Sequence, residues 1–333
     1  MAIRKRVFVL GAGVSHECGY PLASDLIKSV VNFPESRLSN EEKEEVKNYI
    51  GILFPTFDKS LENYPNVEDF LNILDSAIER QVPIAKDLEK IRRYFLFGIC
   101  QYLYSCKTDM TSIETFIDCL QEGDYIISFN WDLSLEKTII VTKNRSYQYF
   151  IKGNLIIPLT GRPNGSSITI LKPHGCINWF HLNELKLEED KVFELDKKPP
   201  KEDRSISVLK LFDYPALPPE IVNKKPLPYI IPPTIYSRAI EKEVSHVWND
   251  ITYILRETSE IHFVGYSLPS IDNFARFTIR IGILLNKNGP KVLVVNPDDY
   301  VIPRYNALLG YNEYEFKPWN FQKYVDNLKE NKL

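Results

Sequence analysis

The sequence has few cysteines and no paired ones: its 333 residues include five, and no two of them have Cys-x-x-Cys spacing. A zinc ribbon needs such ligand pairs, so the sequence predicts no metal site of that kind. The odd, scattered set is typical of reduced thiols in a cytoplasmic protein. The five residues are Cys18, Cys100, Cys106, Cys119 and Cys176.

The sequence also lacks an excess of positive charge and a long apolar run. Its formal net charge is −3, so no global basic field indicates direct binding to nucleic acid. No apolar run approaches the roughly 20 residues of a membrane helix, and the N-terminal apolar run is too short for a signal peptide. With 44% apolar and 26% charged residues, we expect one globular domain over 1–333, located in the cytoplasm and not bound to a membrane.

A strand, a glycine turn and a helix start follow one another near the N-terminus. Arg6–Leu10 is short and apolar, which is typical of a strand buried on both faces of a sheet. Gly11 and Gly13 follow directly, and glycine lets the backbone turn sharply and approach a ligand. Pro21 then predicts a helix over Leu22–Val31. Free N–H groups at such a turn favour a phosphate, although a tight turn in any α/β domain has the same pattern.

The dinucleotide fingerprint of a dehydrogenase is incomplete here. After Gly13 the third glycine is out of register, and no acidic residue closes a second strand about 20 residues later. The residues there, Asn40–Ile50, form the pattern of a charged helix instead. A dehydrogenase is therefore the least favoured of the functions considered.

Residues 40–120 have helical periodicity throughout, and we interpret them as a helical insertion beside the sheet. The helices predicted after Asn40–Ile50 are Val67–Arg80, with Asn66 as its N-cap, Ile84–Cys106 and Ile113–Leu120. A second segment, 184–228, is rich in Lys, Glu and Pro, and we interpret it as a surface excursion from the domain.

Four predicted strands end in small or polar residues, near residues 8, 127, 262 and 293. Open α/β sheets place their ligands at the carboxyl ends of strands, so four such endings predict one ligand crevice. Asn130 and Asp132 follow the second strand, where a helix cap explains one of them better than both. His174 lies between Pro173 and Gly175 on a constrained loop, a position equally typical of a structural histidine. The fold class predicted is α/β: a Rossmann-like open parallel sheet with a helical insertion.

Five ordered segments resemble the sirtuin family, and more closely its prokaryotic NAD-hydrolysing branch. They are GAGVS at 11–15, FNWD at 129–132, KPHG at 172–175, GYS at 265–267 and VNP at 295–297. The resemblance implies NAD as substrate, with Asn130 binding the nicotinamide ribose and a water, Asp132 the carboxamide, and His174 the ribose hydroxyls. It also implies that GAGVS binds the pyrophosphate and that the GYS and VNP segments contact the phosphate and the adenine-side ribose. The binding residues so implied are Gly11, Ala12, Gly13, Val14, Ser15, Gly265, Ser267 and Asn296.

Three departures separate the chain from the protein deacylases that it resembles. It lacks their four-cysteine zinc module, has Leu22-Ala23-Ser24 in place of their acidic-Phe-Arg run, and has Ser128-Phe129 in place of their Thr-Gln. These departures affect the acyl-lysine peptide groove and leave the NAD site largely intact. The resemblance therefore implies an NAD glycohydrolase that forms nicotinamide and ADP-ribose, without a metal, as an antiphage defence effector causing abortive infection by NAD depletion.

Two other classes of function stay open on the sequence. One is group transfer on the same fold, by an NAD-dependent deacylase or an ADP-ribosyltransferase. The other is a non-catalytic nucleotide-binding sensor or assembly module. The resemblance also implies a homo-oligomer, a sensor or activator subunit, or both.

Overall fold

A computed structural model describes residues 5–143, 145–151, 154–156, 167–181, 184, 206–208, 217, 219–233, 244–310 and 313–332. The strands are β1 (Arg6–Leu10), β2 (Tyr125–Ser128), β3 (Tyr147–Ile151), β4 (Asn154–Ile156), β5 (Ile168–Leu171), β6 (Gly175–His181), β7 (Ile206–Val208), β8 (Pro228–Ile230), β9 (Glu260–Val264), β10 (Lys291–Val295) and β11 (Glu315–Lys317). The helices are α1 (Ala12–Glu17), α2 (Leu26–Val31), α3 (Asn40–Leu53), α4 (Val67–Glu79), α5 (Ala85–Ser105), α6 (Thr111–Asp118), α7 (Ser134–Lys137), α8 (Pro219–Val222), α9 (Ser245–Glu257), α10 (Asn273–Leu284), α11 (Ile302–Leu309) and α12 (Phe321–Lys329).

The β1 strand lies in the middle of the main sheet, as its apolar sequence predicts. Val7, Phe8, Val9 and Leu10 are all completely buried, because helices cover both faces of the sheet. Burial of each such side chain contributes about 1.5–3 kcal/mol. At the start of the strand, Arg6 pairs with Asp124, just before β2, and this pairing ties the two neighbouring strands together.

Within the described residues the main sheet has eight strands, in the order β11-β10-β9-β1-β2-β5-β3-β4. Every neighbouring pair is parallel except β3 and β4, which pair antiparallel at one edge. Helices α2 to α6 lie between β1 and β2 in the chain. The predicted fold class is thus confirmed: a Rossmann-like open parallel sheet with a helical insertion.

The insertion forms its helices where apolar periodicity and caps predict them. The Asn66 side chain accepts a hydrogen bond from the N–H of Glu68, which makes it the N-cap of α4 as expected. Phe70, Leu71 and Leu74 of that helix are completely buried, and Phe70 meets Phe95 of α5 edge to face. This apolar face packs two helices of the insertion against each other.

One helix prediction near the glycine turn is wrong. The first helix starts at the turn itself, with Gly11 as the N-cap of Ala12–Glu17, and the next starts only at Leu26 rather than at Leu22. Pro21 therefore lies in the connection between two helices and not in a first helical turn. The six residues of α1 are too few to show a periodic pattern in the sequence.

A smaller antiparallel sheet, in the order β7-β6-β8, follows the main one. Its central strand contains Trp179, which is completely buried against Tyr149 of β3. The β7 strand belongs to segment 184–228, and Val208 within it is buried. Lys197–Pro200 and most of that segment lie outside the described residues, so its assignment as a surface excursion stays a prediction, as does the single domain over 1–333.

The strand order reverses direction between β1 and β9. From β1 the chain goes to β2 on one side, and β9 later pairs with the other side of β1. At the carboxyl ends of these strands Gly11 donates to the Val264 carbonyl (3.1 Å), and Gly13 donates to the Gly265 carbonyl (3.0 Å). Open α/β sheets bind ligands at such a switch point, so this is where a site is expected.

Gly265→Ala tests how closely the two turns pack. Gly265 has φ +59°, and an added Cβ would lie 2.8 Å from the Val14 backbone nitrogen. We expect a loss of about 2–5 kcal/mol of unfolding free energy, measured by urea denaturation, from the strained φ and the forced contact together.

Gly289→Ala is the matched control, because Gly289 has φ +60° and nothing within 4 Å of the added Cβ. This variant should lose only the unfolding free energy that comes from the strained φ, about 1–2 kcal/mol. Equal losses in the two variants would show that the contact between the turns carries no stability.

Candidate functional site

A cavity of about 800 Å³ opens at the switch point, beyond the carboxyl ends of β1, β2, β9 and β10. This volume is within the range of small-molecule sites. Val14 is the one proposed site residue that does not line it; that side chain is buried. The proposed residues that do line it are Gly11, Ala12, Gly13, Ser15, Asn130, Asp132, His174, Gly265, Ser267 and Asn296.

The glycine turn has fewer free backbone donors than its sequence indicated. The N–H groups of Gly11 and Gly13 donate to β9 and its turn, and the N–H of Val14 donates to the Gly11 carbonyl (3.0 Å). These three groups are therefore not available to a phosphate. Gly11 and Gly13 instead permit close backbone packing, since a Cβ on Gly11 would lie 2.5 Å from the Tyr266 Cα.

Asn130, Ser15 and Asp132 form a directional hydrogen-bond chain on one wall of the cavity. Asn130 Nδ2 donates to the Gly11 carbonyl (2.9 Å) and to Ser15 Oγ (2.8 Å). Ser15 Oγ in turn donates to Asp132 Oδ2 (2.6 Å). Because a carbonyl only accepts, the Asn130 amide nitrogen must face Gly11, and its oxygen is the group left for a ligand or a water.

Of the two polar residues after β2, one binds the start of the next helix, although the N-cap position itself is Leu133. Asp132 Oδ1 accepts from the Ser134 N–H (2.8 Å) at the start of α7, while Asn130 caps no helix. Ser15 is buried and its proton is committed to Asp132, so this hydroxyl orients Asn130. The network fixes the rotamers of all three side chains before any ligand binds.

His174 lies on a tight turn between β5 and β6. Gly175 has φ +73°, and its N–H donates to the Lys172 carbonyl (3.1 Å), which confirms the constrained loop that the sequence predicted. His174 Nε2 lies 2.7 Å from Asp272 Oδ2, and its Nδ1 is buried without a hydrogen-bond partner in the described ranges. Asp272 was not expected from the sequence, because it follows His174 by 98 residues.

Aromatic rings enclose the His174 imidazole. The Phe129 ring centroid lies 5.2 Å from it, and the Trp248 ring centroid lies 5.7 Å away. Phe129 is also stacked on Tyr266, with an interplanar angle of 5°. Aromatic rings thus pack around the imidazole, and Asp272 binds its Nε2.

A buried ion pair lies beneath the loop that contains Asn130 and Asp132. Lys172 Nζ is 3.0 Å from Glu136 Oε1 and donates to the Asp132 carbonyl (2.5 Å), and Tyr149 OH donates to the same Glu136 oxygen (2.7 Å). Burial lowers the pKa of Lys172, but its hydrogen bond to Cys176 and the charges of Glu136 and Asp132 raise it by more. Burial raises the pKa of the Cys176 thiol to about 12, so the thiol is neutral at pH 7 and Glu136 is the counter-ion.

The helical insertion contributes a carboxylate that the sequence did not single out. Glu68, in the first turn of α4, lines the cavity together with Asp272 and His174. Burial raises its pKa to about 7 from an ordinary 4.5, and Asp272 adds to the rise while His174 and Arg304 oppose it. A carboxyl group with this pKa changes charge near neutral pH.

Ser267 and Asn296 lie on the opposite side of the cavity, after β9 and β10. The Ser267 carbonyl accepts from Arg304 Nη1 (2.9 Å). Asn296 is buried, and its Oδ1 accepts from the Asp298 N–H (3.0 Å). The structure therefore brings both residues to the cavity and shows them bound within the protein.

In the part of the chain that the structure describes, no three His, Cys, Asp or Glu side chains form a group that could hold a metal ion. Among the same residues, no helix combines the length and apolarity needed to cross a bilayer.

No family model matches the chain, and no curated protein matches it. Solved structures of sirtuin homologues do. One is a Sir2 homologue mutant in complex with ADP-ribose, at 13% identity over 98% of this chain and 90% of that chain, with a TM-score of 0.46. Another is a triple mutant of a Sir2 homologue in complex with 2′-O-acetyl ADP-ribose. It is 14% identical over 98% of this chain and 91% of that chain, with a TM-score of 0.45. A third is Sir2 bound to an acetylated peptide. It is 11% identical over 99% of this chain and 93% of that chain, with a TM-score of 0.41. At these values the similarity concerns the fold and assigns no role to any residue.

Removing one partner of the buried ion pair should be costly. Lys172→Met leaves the Glu136 carboxylate buried and unpaired, so we expect a loss of about 3–5 kcal/mol in urea denaturation. The double variant Lys172→Met/Glu136→Gln should recover part of this loss, because no unpaired charge remains.

The exposed pair Lys28–Glu62, with atoms 2.7 Å apart, is the control. Lys28→Met should leave the unfolding free energy nearly unchanged, because water screens that pair. The single variant Glu136→Gln completes the comparison. If the losses of the two single variants simply added up in the double variant, the two side chains would not be coupled, which would contradict the buried pairing.

Glu68 should make stability fall as pH rises. Its folded pKa of about 7 exceeds the ordinary 4.5, so the folded state holds a proton that the unfolded state has released between these values. In Glu68→Gln the fall from pH 4.5 to 7 should be smaller by on the order of 1–3 kcal/mol. Denaturant unfolding of both proteins at several pH values measures this difference in unfolding free energy. Asp69→Asn, at an exposed neighbour whose charge adds to the rise in the Glu68 pKa, should retain most of the fall in stability with pH. A wild-type profile that matches that of Glu68→Gln would show that Glu68 titrates normally.

Proposed function

We propose that the chain is an NAD glycohydrolase, which cleaves the bond between nicotinamide and ribose and forms nicotinamide and ADP-ribose. One observation carries the proposal: the cavity at the switch point of β1 and β9 is lined together by the glycine turn, Asn130, Asp132 and His174. These residues come from three of the segments that resemble the NAD-hydrolysing sirtuin branch. The fold alone would fit many functions, so the residues of this site decide the function proposed.

The proposed reaction breaks the bond between the nicotinamide nitrogen and the anomeric carbon of the ribose. The electron pair leaves with nicotinamide, the oxygen of a water molecule bonds to the anomeric carbon, and the proton of that water is released. The transition state resembles an oxocarbenium ion, which is stabilised by correctly placed acceptors around the ribose.

Asn130 is suited to position the ribose and the attacking water. Its amide nitrogen is held by Gly11 and Ser15, so its oxygen has one fixed direction and accepts from a hydroxyl or a water. Asp132 is held by Ser15 and the Ser134 N–H, yet each carboxylate oxygen has a further lone pair for the carboxamide of nicotinamide. Side chains fixed in advance lose little entropy when the substrate binds.

His174 is suited to accept a hydrogen bond from a ribose hydroxyl. Its Nδ1 is buried and lacks a partner in the described residues, and a buried acceptor without a partner costs about 1–3 kcal/mol. A hydroxyl of the bound ribose would remove this cost. Binding and catalysis would then depend on the same nitrogen.

We also propose a biological role for the reaction. The sequence resemblance supports an antiphage defence effector that depletes NAD in the cytoplasm. It equally supports a homo-oligomer or a sensor subunit that activates the enzyme.

Asn130→Ala and His174→Gln test the site. His174 is 2% exposed and pairs with Asp272, so Gln is a better replacement than Ala, which would leave a cavity and an unpaired carboxylate. Each variant should lose about 10²–10⁴-fold in the rate of nicotinamide release, measured chromatographically with NAD as substrate. The double variant should be scarcely slower than the poorer single variant, since both residues act on one transition state.

His246→Ala is the control, because His246 is exposed and does not line the cavity. Thermal unfolding verifies that each variant folds. Equal NAD cleavage by the wild type and both site variants would overturn the assignment of the site. Nicotinamide release that requires an acylated peptide or a protein acceptor would favour a deacylase or an ADP-ribosyltransferase, and binding of NAD without turnover would favour a sensor.

A further inference from the structure

Asp272 connects the GYS turn to His174 through a buried hydrogen bond. Its Oδ2 lies 2.7 Å from His174 Nε2, and the two side chains are 1% and 2% exposed. Its Oδ1 accepts from the Ala275 N–H (3.1 Å) as the N-cap of α10, and Tyr266 OH donates to Oδ2 (3.3 Å). Both of these contacts come from donors, as an ionised carboxylate requires.

The carboxylate determines which imidazole nitrogen has the proton. An ionised carboxylate only accepts, so His174 must donate from Nε2. In the neutral imidazole Nδ1 then has a lone pair and no proton. Since Nδ1 is buried and has no partner in the described chain, it is the nitrogen left for a ligand in the cavity that His174 lines.

We propose that Asp272 is a positioning residue that fixes His174 in the Nε2–H tautomer and so makes Nδ1 the acceptor for a ribose hydroxyl of the substrate. The assignment of that ligand rests on the proposed function, whereas the tautomer itself is a property of the free protein. Asp272 touches neither substrate nor water in this role and acts through the imidazole.

Helix capping alone would explain only one of the two carboxylate oxygens. Oδ1 serves the Ala275 N–H, while Oδ2 faces away from the helix backbone toward His174 and Tyr266. The two functions can be separated by Asp272→Asn. Its amide oxygen is needed by the Ala275 N–H, so its amide nitrogen faces His174 Nε2 and donates to it. The imidazole proton then moves to Nδ1, which changes from an acceptor into a donor.

The experiment combines imidazole NMR with NAD cleavage. Protein labelled with ¹⁵N in its histidines is measured at about pH 8, where free imidazole is neutral, and the His174 signals are assigned by their loss in His174→Gln. We expect the Nε2–H tautomer in the wild type and the Nδ1–H tautomer in Asp272→Asn. The variant should lose about 10²–10⁴-fold in kcat, with KM changed much less and the Tm nearly unchanged because the cap remains.

Glu260→Gln is the matched control. Glu260 Oε1 makes the same kind of buried contact with His262 Nε2 (2.6 Å), and neither residue lines the cavity. This variant should leave kcat unchanged. Asp272→Glu, which retains a carboxylate, should restore part of the activity lost in Asp272→Asn.

The two proposals fail in different ways. An Nδ1–H tautomer in the wild type, or a kcat of Asp272→Asn within about threefold of an active wild type, would overturn the role of Asp272. A wild type that has the Nε2–H tautomer but never cleaves NAD would overturn the proposed function and support the tautomer assignment. NMR titration with ADP-ribose then tests whether a ribose hydroxyl contacts His174. A shift of the Nδ1 signal supports this contact, and an unchanged signal overturns it.

Discussion

The backbone contact between the turns after β1 and β9 is the constraint on which the rest of the site depends. Two hydrogen bonds from Gly11 and Gly13 join these turns at the point where the strand order reverses. A side chain at either glycine would force the turns apart, and the Gly11 carbonyl that orients Asn130 would move with them. The geometry of Asn130 therefore follows from how closely two strands approach each other.

Features encoded by neighbouring residues could be predicted from the sequence. The β1 strand, the α4 N-cap at Asn66 and the constrained turn at Gly175 each depend on a few adjacent side chains, and all three are found. The convergence of the strand ends was also predictable, because parallel strands bring their carboxyl ends to one edge of a sheet. The short helix Ala12–Glu17 was missed because six residues give no period to detect.

Features that depend on distant contacts could not be predicted. Lys172 carries a charge, and a lysine is almost never fully buried unless it is paired, yet this one is 1% exposed because Glu136 neutralises it within the fold. Asp272 can be recognised in the sequence as an N-cap, but its contact with His174 requires the three-dimensional arrangement. Glu68 belongs to an insertion whose position against the sheet no local pattern gives. In each case two segments far apart in the chain determine the chemistry of one side chain.

The pairing of β1 with β9 has a consequence for how the chain folds during synthesis. Residue 6 pairs with residue 260, so the two strands cannot meet until most of the chain has left the ribosome. Until then one edge of a strand that is apolar after Arg6 has no partner, and such edges promote association between chains. Contacts between residues this distant in sequence also form slowly. The interval before β9 is made is thus when this strand edge is most open to association with other chains, and completion of the β1–β9 pairing also completes the wall of the cavity.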